Sequence, residues 1–216
     1  MIFLYSGTPG SGKSLHTARI VYQQLKKGLP VIVNFDINLG VIKNKKKREK
    51  LEKNLYVVYN EDLTPNYLYN FSLWYFGDNR PVEGRITVII DEAQVIFNTR
   101  DYARKDRKDW NKFFQIHRHY GFDIILAAQF DLMLDKQIRC VIEYEEKHRK
   151  VINLGFKGLI VSLLTFAPFG CFICVKYWYP VKQKVHHYFF RYNKFYGSLY
   201  DTYNLNFSSE VPIDNQ

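Results

Sequence analysis

Short apolar runs alternate along this chain with longer stretches in which apolar residues recur every three or four positions. The short runs are typical of buried strands, and the longer stretches of amphipathic helices. The predicted strands are Ile2–Tyr5, Val31–Phe35, Tyr56–Tyr59, Ile86–Ile90 and Asp123–Ala128. The predicted helices are Lys13–Lys27, Asn66–Phe76 and Arg104–Tyr120. This alternation predicts an α/β fold with a mostly parallel sheet between helices.

A glycine-rich loop connects the first predicted strand to the first predicted helix. Its residues are Gly7, Thr8, Pro9, Gly10, Ser11, Gly12, Lys13 and Ser14. Glycines let successive backbone N–H groups face phosphate oxygens, and the following helix adds its positive end. In this motif the lysine reaches the β- and γ-phosphates and the serine hydroxyl coordinates Mg²⁺. The loop therefore predicts a P-loop NTPase fold that binds ATP and Mg²⁺.

Two carboxylates, Asp91 and Glu92, follow the predicted strand Ile86–Ile90. The carboxyl end of a parallel strand lies at the edge where such sheets bind ligands. We expect Asp91 to hold the metal, directly or through water, and Glu92 to orient and polarise the attacking water. A plain solvated turn is the alternative, and the phosphate loop favours the functional interpretation. A carboxylate placed to activate water indicates hydrolysis rather than transfer to a small molecule.

A third predicted strand, Asp123–Ala128, ends in Gln129. If this strand lies beside Ile86–Ile90, the amide of Gln129 would lie near the γ-phosphate and could sense hydrolysis. An ordinary amide at a strand end is the alternative, and spacing alone does not separate the two.

The positive charge of the chain is concentrated in one segment, and its cysteines are few. The formal net charge is +10, and residues 43–53 carry seven Lys/Arg against two Glu, which supplies +5, or half of it. Such a run is either a solvated face or a means of steering towards nucleic acid or anionic lipid. The three cysteines, Cys140, Cys171 and Cys174, predict no disulfide framework and suggest a reducing compartment. Their spacing and that of the histidines predict no metal site beyond Mg²⁺.

One apolar segment, Gly158–Val175, has eighteen consecutive residues without a charge. This length meets the minimum for a membrane-spanning helix, and Lys157 and the run Lys176–Tyr179 could serve as interfacial anchors. The competing hypothesis is a buried hairpin that turns at Ala167–Gly170. Both alternatives remain open at this point.

The organisation that follows is a nucleotide-binding core over residues 1–150 and a small C-terminal apolar and aromatic extension over residues 151–216. No secretory signal precedes the phosphate loop, so the nucleotide site is expected to face the cytoplasm.

Several short motifs together resemble the zonular occludens toxin-like family. They are the N-terminal phosphate loop, IIDEAQ at 89–94, HRHYGFDIILAAQ at 117–129, LDKQIR at 134–139 and YGSLYDT at 196–202. Members of this family are P-loop ATPases that drive extrusion of single-stranded-DNA virions of filamentous phages through the host inner membrane. The resemblance extends to about Thr202.

The resemblance implies roles for particular residues. It assigns nucleotide binding to Gly7–Ser14, metal binding and water activation to Asp91 and Glu92, and the sensor amide to Gln129. Arg139 falls where the family has an arginine after the sensor strand. There it could reach the γ-phosphate bound in a neighbouring subunit of a ring. The alternative for Arg139 is a surface salt bridge with Glu143.

The expected function is therefore that of a phage morphogenesis ATPase. Its implied partners are ATP, further copies of the chain in a ring, phage coat and assembly proteins, single-stranded DNA and the host inner membrane. The strongest alternative is a cytoplasmic DNA-packaging or DNA-translocating ATPase, and a third is a nucleotide-dependent binding module with little turnover. The resemblance gives no support for toxin activity.

Overall fold

A sheet of eight strands forms the centre of the computed structural model, which describes residues 1–98, 106–155, 158 and 170–200. The strands are β1 Ile2–Ser6, β2 Val31–Val33, β3 Leu55–Val57, β4 Ile86–Ile90, β5 Phe122–Ala128, β6 Tyr144–Lys150, β7 Cys171–Trp178 and β8 Gln183–Arg191. Their spatial order is β3-β2-β4-β5-β1-β6-β7-β8. The strands from β3 to β6 in that order are parallel, whereas β7 and β8 are antiparallel to their neighbours.

The parallel strands at the centre of the sheet are covered on both faces. All positions of β2 and β4 are buried, which explains their continuous apolar sequences, because helices must cover both sides of a parallel sheet. The predicted α/β fold with a mostly parallel sheet between helices is thereby confirmed.

Helices supply that cover. The α-helices are α1 Lys13–Lys26, α2 Lys45–Glu52, α3 Pro65–Phe76, α4 Arg107–Ile116, α5 Lys136–Arg139 and α6 Lys194–Leu199. Leu25 of α1 and Leu199 of α6 belong to the core on one face of the sheet. Leu68 of α3 and Phe113 of α4 belong to the core on the other face.

Local chemistry sets where these helices begin and end. The side chain of Thr64 accepts a hydrogen bond from the Tyr67 N–H (3.1 Å), and Pro65 takes the first helical position, so α3 begins at Pro65 as its capping signal requires. Helix α4 is shorter than its prediction of Arg104–Tyr120. The α-helix ends at Ile116 and a 3₁₀ turn continues to Tyr120; residues 99–105 lie outside the described part of the chain.

The C-terminal strands correct both expectations for the apolar segment Gly158–Val175. Its last five residues, Cys171–Val175, are part of strand β7, so a single membrane-spanning helix over the whole segment is wrong there. The hairpin is also wrong for this part, because both edges of β7 are occupied by β6 and β8. Residues 159–169 lie outside the described residues. Among the helices that the structure describes, none has the length and apolarity needed to cross a membrane.

The sheet continues across the predicted boundary at residue 150. Lys150 of β6 pairs with Phe172 of β7, and the antiparallel ladder runs on to β8. Strand pairing thus joins the residues on either side of this boundary. The division of the chain into a core over residues 1–150 and an extension over residues 151–216 stays a prediction.

Candidate nucleotide-binding site

The glycine-rich loop begins where β1 ends and leads into α1. Gly10 (φ 71°) and Gly12 (φ 96°) adopt left-handed backbone conformations that glycine tolerates best. The Ser11 N–H donates to the Thr8 carbonyl (3.1 Å) and closes the loop. No side chain caps the start of α1, so its first N–H groups and its positive end are available to an anion.

Two glycines of the loop are also required by space. A Cβ atom on Gly7 would lie 2.4 Å from the His148 carbonyl oxygen, and one on Gly12 would lie 2.8 Å from Cδ1 of Phe172. Strands β6 and β7 therefore pack directly against the loop and fix its position.

Lys13 folds back over the loop that precedes it. Its ammonium group donates to the carbonyl oxygens of Gly7 (2.6 Å) and Thr8 (3.4 Å). Burial lowers the pKa of Lys13, and the carboxylates of Asp91 and Glu92 partly offset that effect. The two carboxylates thus act on the lysine from the end of β4, which β5 separates from β1.

Asp91 is held at the end of β4 by Asn34. The Asp91 N–H donates to Oδ1 of Asn34 (2.7 Å), and Nδ2 of Asn34 donates to the Asp91 carbonyl (3.0 Å). Burial raises the pKa of the Asp91 carboxyl, while hydrogen bonds from the Tyr200 hydroxyl and the Glu92 N–H oppose that rise. Asn34 directly follows β2, which ends at Val33, two residues before its predicted end at Phe35.

Glu92 has a backbone conformation that is uncommon for a residue with a side chain. Its φ of 46° lies in the left-handed region, which costs roughly 1–2 kcal/mol for residues other than glycine. The turn is held by the Ala93 N–H, which donates to the Ala127 carbonyl (2.8 Å) on β5. The exposed carboxylate of Glu92 accepts a hydrogen bond from the Gln94 amide. Strain kept at one position by its neighbours is typical of functional sites.

Strand β5, which Gln129 follows, lies beside β4, as the prediction for Gln129 required. Strand β5 pairs with β4 on one side and with β1 on the other, and the Gln129 carbonyl accepts a hydrogen bond from the Gly7 N–H (3.1 Å). Gln129 therefore lies directly beside the first residue of the loop. Its role as a sensor of hydrolysis stays a prediction.

Arg139 ends helix α5 and is half-buried. The alternative in which it forms a salt bridge with Glu143 is wrong. Glu143 instead pairs with Arg118 (Nη2 to Oε2, 2.5 Å) and accepts a hydrogen bond from the Ile2 N–H (3.1 Å). The role of Arg139 towards a neighbouring subunit stays a prediction.

Tyr200 is the site residue that sequence reasoning missed. Its hydroxyl donates to Oδ2 of Asp91. Burial and the Asp91 carboxylate raise the pKa of Tyr200, and a hydrogen bond from Ser14 opposes the rise. Tyr200 thus lies between Asp91 and Ser14, the two residues predicted to hold Mg²⁺. The only signal in the sequence was its place in YGSLYDT, a motif to which no role was assigned.

A cavity of about 440 Å³ opens beside the loop. Gly7, Thr8 and Gln129 line one side, and β6 contributes Lys147 and Arg149 to the other. Asp131 and Glu145 line the cavity as well, so its walls carry charges of both signs.

The phosphate loop, the carboxylates at the end of β4 and the position of β5 between β1 and β4 define this chain as a P-loop NTPase. It belongs to the zonular occludens toxin (Zot) family, whose family model matches residues 1–188.

Individual relatives agree with this assignment. The chain is 26% identical over 167 residues to the Gene 1 protein of Enterobacteria phage M13; the match covers 76% of this chain and 47% of that protein. The chain therefore spans about half the length of the curated relatives it matches.

Solved structures share the fold. The N-terminal domain of zonular occludens toxin from Neisseria meningitidis aligns with a TM-score of 0.53 at 19% identity, covering 93% of this chain and 98% of that chain. B204, the DNA-packaging ATPase from Sulfolobus Turreted Icosahedral Virus, aligns with a TM-score of 0.55 at 16% identity, covering 87% and 96% of the two chains.

Proposed function

We propose that this protein hydrolyses MgATP and that hydrolysis drives phage assembly. The observation that carries the proposal is the convergence of Lys13, Asp91 and Glu92, whose charges act on one another at the carboxyl edge of the sheet. A cation for the phosphates, a carboxylate for the metal and a carboxylate for water are the parts that triphosphate hydrolysis needs.

The residues fit the nucleotide and the metal. Among the described residues, the Lys13 ammonium donates to carbonyl oxygens of its own loop, which phosphate oxygens can replace as better acceptors. The buried Ser11 hydroxyl has no hydrogen-bond partner among the described residues. A Cβ atom on Gly10 would meet nothing within 4 Å, so the tip of the loop is open. Ser14 and Asp91 would hold Mg²⁺, which neutralises charge on the β- and γ-phosphates when bound.

Glu92 is the residue that we assign to water activation. Its carboxylate is exposed and is oriented by the Gln94 amide, and the strained backbone fixes where it points. Gln129 directly follows β5, the strand between β1 and β4, and its backbone carbonyl accepts a hydrogen bond from the Gly7 N–H. This contact would hold the side-chain amide beside the loop, where it would sense loss of the γ-phosphate. Glu92 would act by position and charge and Gln129 by hydrogen bonding, with no covalent intermediate.

The finer function that we propose is extrusion of a single-stranded-DNA virion at the host inner membrane. Membership of the Zot family and the likeness to a filamentous-phage Gene 1 protein support it. Several copies of the chain would form a ring with their nucleotide sites facing the cytoplasm. Phage coat and assembly proteins would be its partners. Two exposed apolar side chains beside the site, Phe130 and Leu132, would contact a second copy of the chain. Across that contact, Arg139 of one copy would reach the nucleotide site of the next.

A specific observation favours a second candidate, DNA translocation in the cytoplasm. Helix α2 presents its lysines to solvent and buries only Leu51. Glu49 and Glu52 pair with Lys45 (4.0 Å) and Arg48 (3.5 Å), so most of the cationic groups are left to attract phosphates of nucleic acid.

Two substitutions test the catalytic assignment. Lys13→Ala should weaken ATP binding and abolish hydrolysis, because the cation at the phosphates is lost. Glu92→Gln should bind ATP normally and hydrolyse it roughly 10²-fold more slowly or worse, since the water-orienting carboxylate is lost. Glu83→Gln is the matched control, because Glu83 is exposed and precedes the opposite end of β4. Phosphate release and binding of a fluorescent ATP analogue are the measurements. Wild-type turnover in Glu92→Gln would show the assignment to be wrong.

A second experiment separates the two functions. Hydrolysis by the wild-type chain is measured alone, with single-stranded DNA, and with vesicles that carry phage coat protein. Stimulation by the coat-protein vesicles alone supports virion extrusion, whereas stimulation by DNA alone supports translocation. Glu92→Gln is included in each arm, so that any contaminating ATPase is recognised.

A further inference from the structure

A second group of polar side chains lies buried on the α1 face of the sheet, behind the phosphate loop. It consists of His16, Glu146, His148 and Cys174, and we call it the His–Glu–Cys cluster. One nitrogen, oxygen or sulfur atom from each residue lies within 4.8 Å of the corresponding atom of every other. The cluster is separate from the residues assigned to nucleotide binding.

The topology explains why these residues meet. Glu146 and His148 are two positions apart on β6 and share one face of the sheet. Cys174 of β7 is the direct cross-strand partner of His148, and Tyr188 of β8 is the partner of Cys174. His16 reaches the same face from α1, where its ring stacks on Tyr5 with centroids 4.8 Å apart.

The cluster is almost closed to solvent, with exposed fractions of 5% for His16, 8% for Glu146, 1% for His148 and 0% for Cys174. A buried carboxylate is costly unless a cation compensates it. Within the described part of the chain, His16 at 3.8 Å is the only basic side chain in ion-pair range of Glu146. The Tyr188 hydroxyl (2.9 Å) and the Cys174 thiol (3.5 Å) donate to the same carboxylate oxygen, Oε2. Nitrogen, sulfur and oxygen atoms thus converge on one point that is closed to solvent, where a bound cation would compensate the carboxylate.

We propose that the His–Glu–Cys cluster binds a structural Zn²⁺ ion. Two imidazole nitrogens, one thiolate and one carboxylate oxygen form a four-ligand set of the kind that Zn²⁺ takes in tetrahedral geometry. Zinc-to-ligand distances of about 2.0–2.3 Å place tetrahedral ligand atoms roughly 3.5 Å apart. The observed separations, from 2.8 Å between Nδ1 of His16 and Nε2 of His148 up to 4.8 Å, require only small shifts.

Proton balance is simple. Binding releases the Cys174 thiol proton to solvent and moves the imidazole proton shared by His16 and His148 to a ring nitrogen that does not bind the metal. The remaining nitrogen of His16 lies 3.2 Å from the Tyr188 hydroxyl, and Tyr188 also donates to Glu146 (2.9 Å). Tyr188 thus holds two ligands in orientation, as outer partners do in zinc sites.

The site would be structural because all four ligands come from the protein and none of its positions faces the nucleotide. His16 lies three residues after Lys13 on α1, and the His148 carbonyl packs against Gly7. A metal here joins the base of the phosphate loop to β6 and β7. We therefore expect Zn²⁺ to raise stability without being needed for the chemistry of hydrolysis.

The test uses the full chain, freed of metal by a chelator and titrated with Zn²⁺ or Co²⁺ alone. The wild-type chain should bind one equivalent of either ion, and Zn²⁺ should raise its melting temperature. The Co²⁺ form should show a thiolate-to-metal charge-transfer band and the intense visible bands of a tetrahedral site. Absence of stoichiometric binding by the wild-type chain overturns the proposal, whatever the variants do.

Matched variants identify the ligands. Cys174→Ser should remove the charge-transfer band and lower Zn²⁺ affinity at least about tenfold, because an anionic ligand is lost. Cys171→Ser is the control, since Cys171 is on the same strand and equally buried, at 3% exposure, but lies outside the cluster. Glu146→Gln provides a second ligand variant if Cys174→Ser fails to fold. Binding of an ATP analogue reports folding in each case. A charge-transfer band retained in a folded Cys174→Ser chain, or lost in Cys171→Ser, would also overturn the proposal.

Discussion

Tyr200 holds the carboxylate that we assign to Mg²⁺, and removing its hydroxyl should therefore strengthen metal binding. The hydroxyl donates to Oδ2 of Asp91 and accepts from Ser14, so it lies between both metal ligands. Mg²⁺ can bind that carboxylate oxygen only when its hydrogen bond with the Tyr200 hydroxyl is broken. Tyr200→Phe keeps the ring, which contacts Phe35 with centroids 4.8 Å apart, and removes only the competing donor.

The size of the effect follows from the bond that is lost. A hydrogen bond to a charged group contributes about 1.5–3 kcal/mol. Because Tyr200 is only half-buried, water can take over part of its role, and the lower end applies. About 1.4 kcal/mol corresponds to a factor of ten. The half-saturating Mg²⁺ concentration should fall by up to roughly tenfold in Tyr200→Phe.

The assay is binding of a fluorescent, non-hydrolysable ATP analogue as Mg²⁺ is titrated, at about pH 8, well above the ordinary range of carboxyl pKa values. This pH matters because losing the Tyr200 hydrogen bond raises the pKa of Asp91 further. Tyr196→Phe is the control, since Tyr196 is on α6, which ends at the residue before Tyr200, and contacts Tyr22 rather than Asp91. Equal Mg²⁺ dependence in the two variants, or weaker Mg²⁺ binding in Tyr200→Phe, would refute the reasoning.

Three further predictions concern the loop, the sheet edge and the subunit interface. Gly12→Ala should reduce ATP-analogue affinity more than Gly10→Ala does, because both have positive φ but only Gly12 would clash with a neighbouring ring. Burial alone would raise the pKa of Glu143, yet hydrogen bonds from Arg118 and the Ile2 N–H hold it below its ordinary value. Its stabilising effect is thus complete above the unfolded-state pKa and is lost as pH falls through the folded-state pKa, so the melting-temperature gap between wild type and Glu143→Gln should close in acid. Mixing inactive Arg139→Ala and Glu92→Gln chains should restore some hydrolysis; a fully active, monodisperse wild-type monomer would contradict a finger in trans.

The sequence was sufficient for the parts of the site that are contiguous in the chain. The loop Gly7–Ser14 and the pair Asp91–Glu92 were predicted from motif and strand context, and both lie where the prediction put them. The order of β4 and β5 was left conditional, because an alternating pattern predicts parallel strands without fixing which strands are neighbours. The ends of the strands were predicted less accurately. The prediction for β2 overran into Asn34, which binds the backbone of Asp91 instead.

The C-terminal region was predicted poorly for a physical reason. An uncharged run is compatible with a membrane helix, a hairpin or a buried strand, because periodicity does not distinguish them. What decides the structure of Cys171–Val175 is pairing with β6, whose sequence carries charged residues at most positions and gives no apolar signal. Strand β8 is exposed at most positions, and its mixed polar and aromatic sequence likewise predicted no strand.

The same pairing explains why the phosphate loop depends on residues far from it in the chain. Gly12 packs on Phe172 of β7, Gly7 packs on the His148 carbonyl of β6, and Asp91 is held by Tyr200, which lies 109 positions away. The contacts of Phe172 and Tyr200 reach the site through the antiparallel extension and the end of the helix that follows it. A parallel core alone would leave Phe172 and Tyr200 out and expose one side of the loop. We therefore expect substitutions at Phe172 and Tyr200 to alter nucleotide or metal affinity although both residues lie far from the loop in the chain.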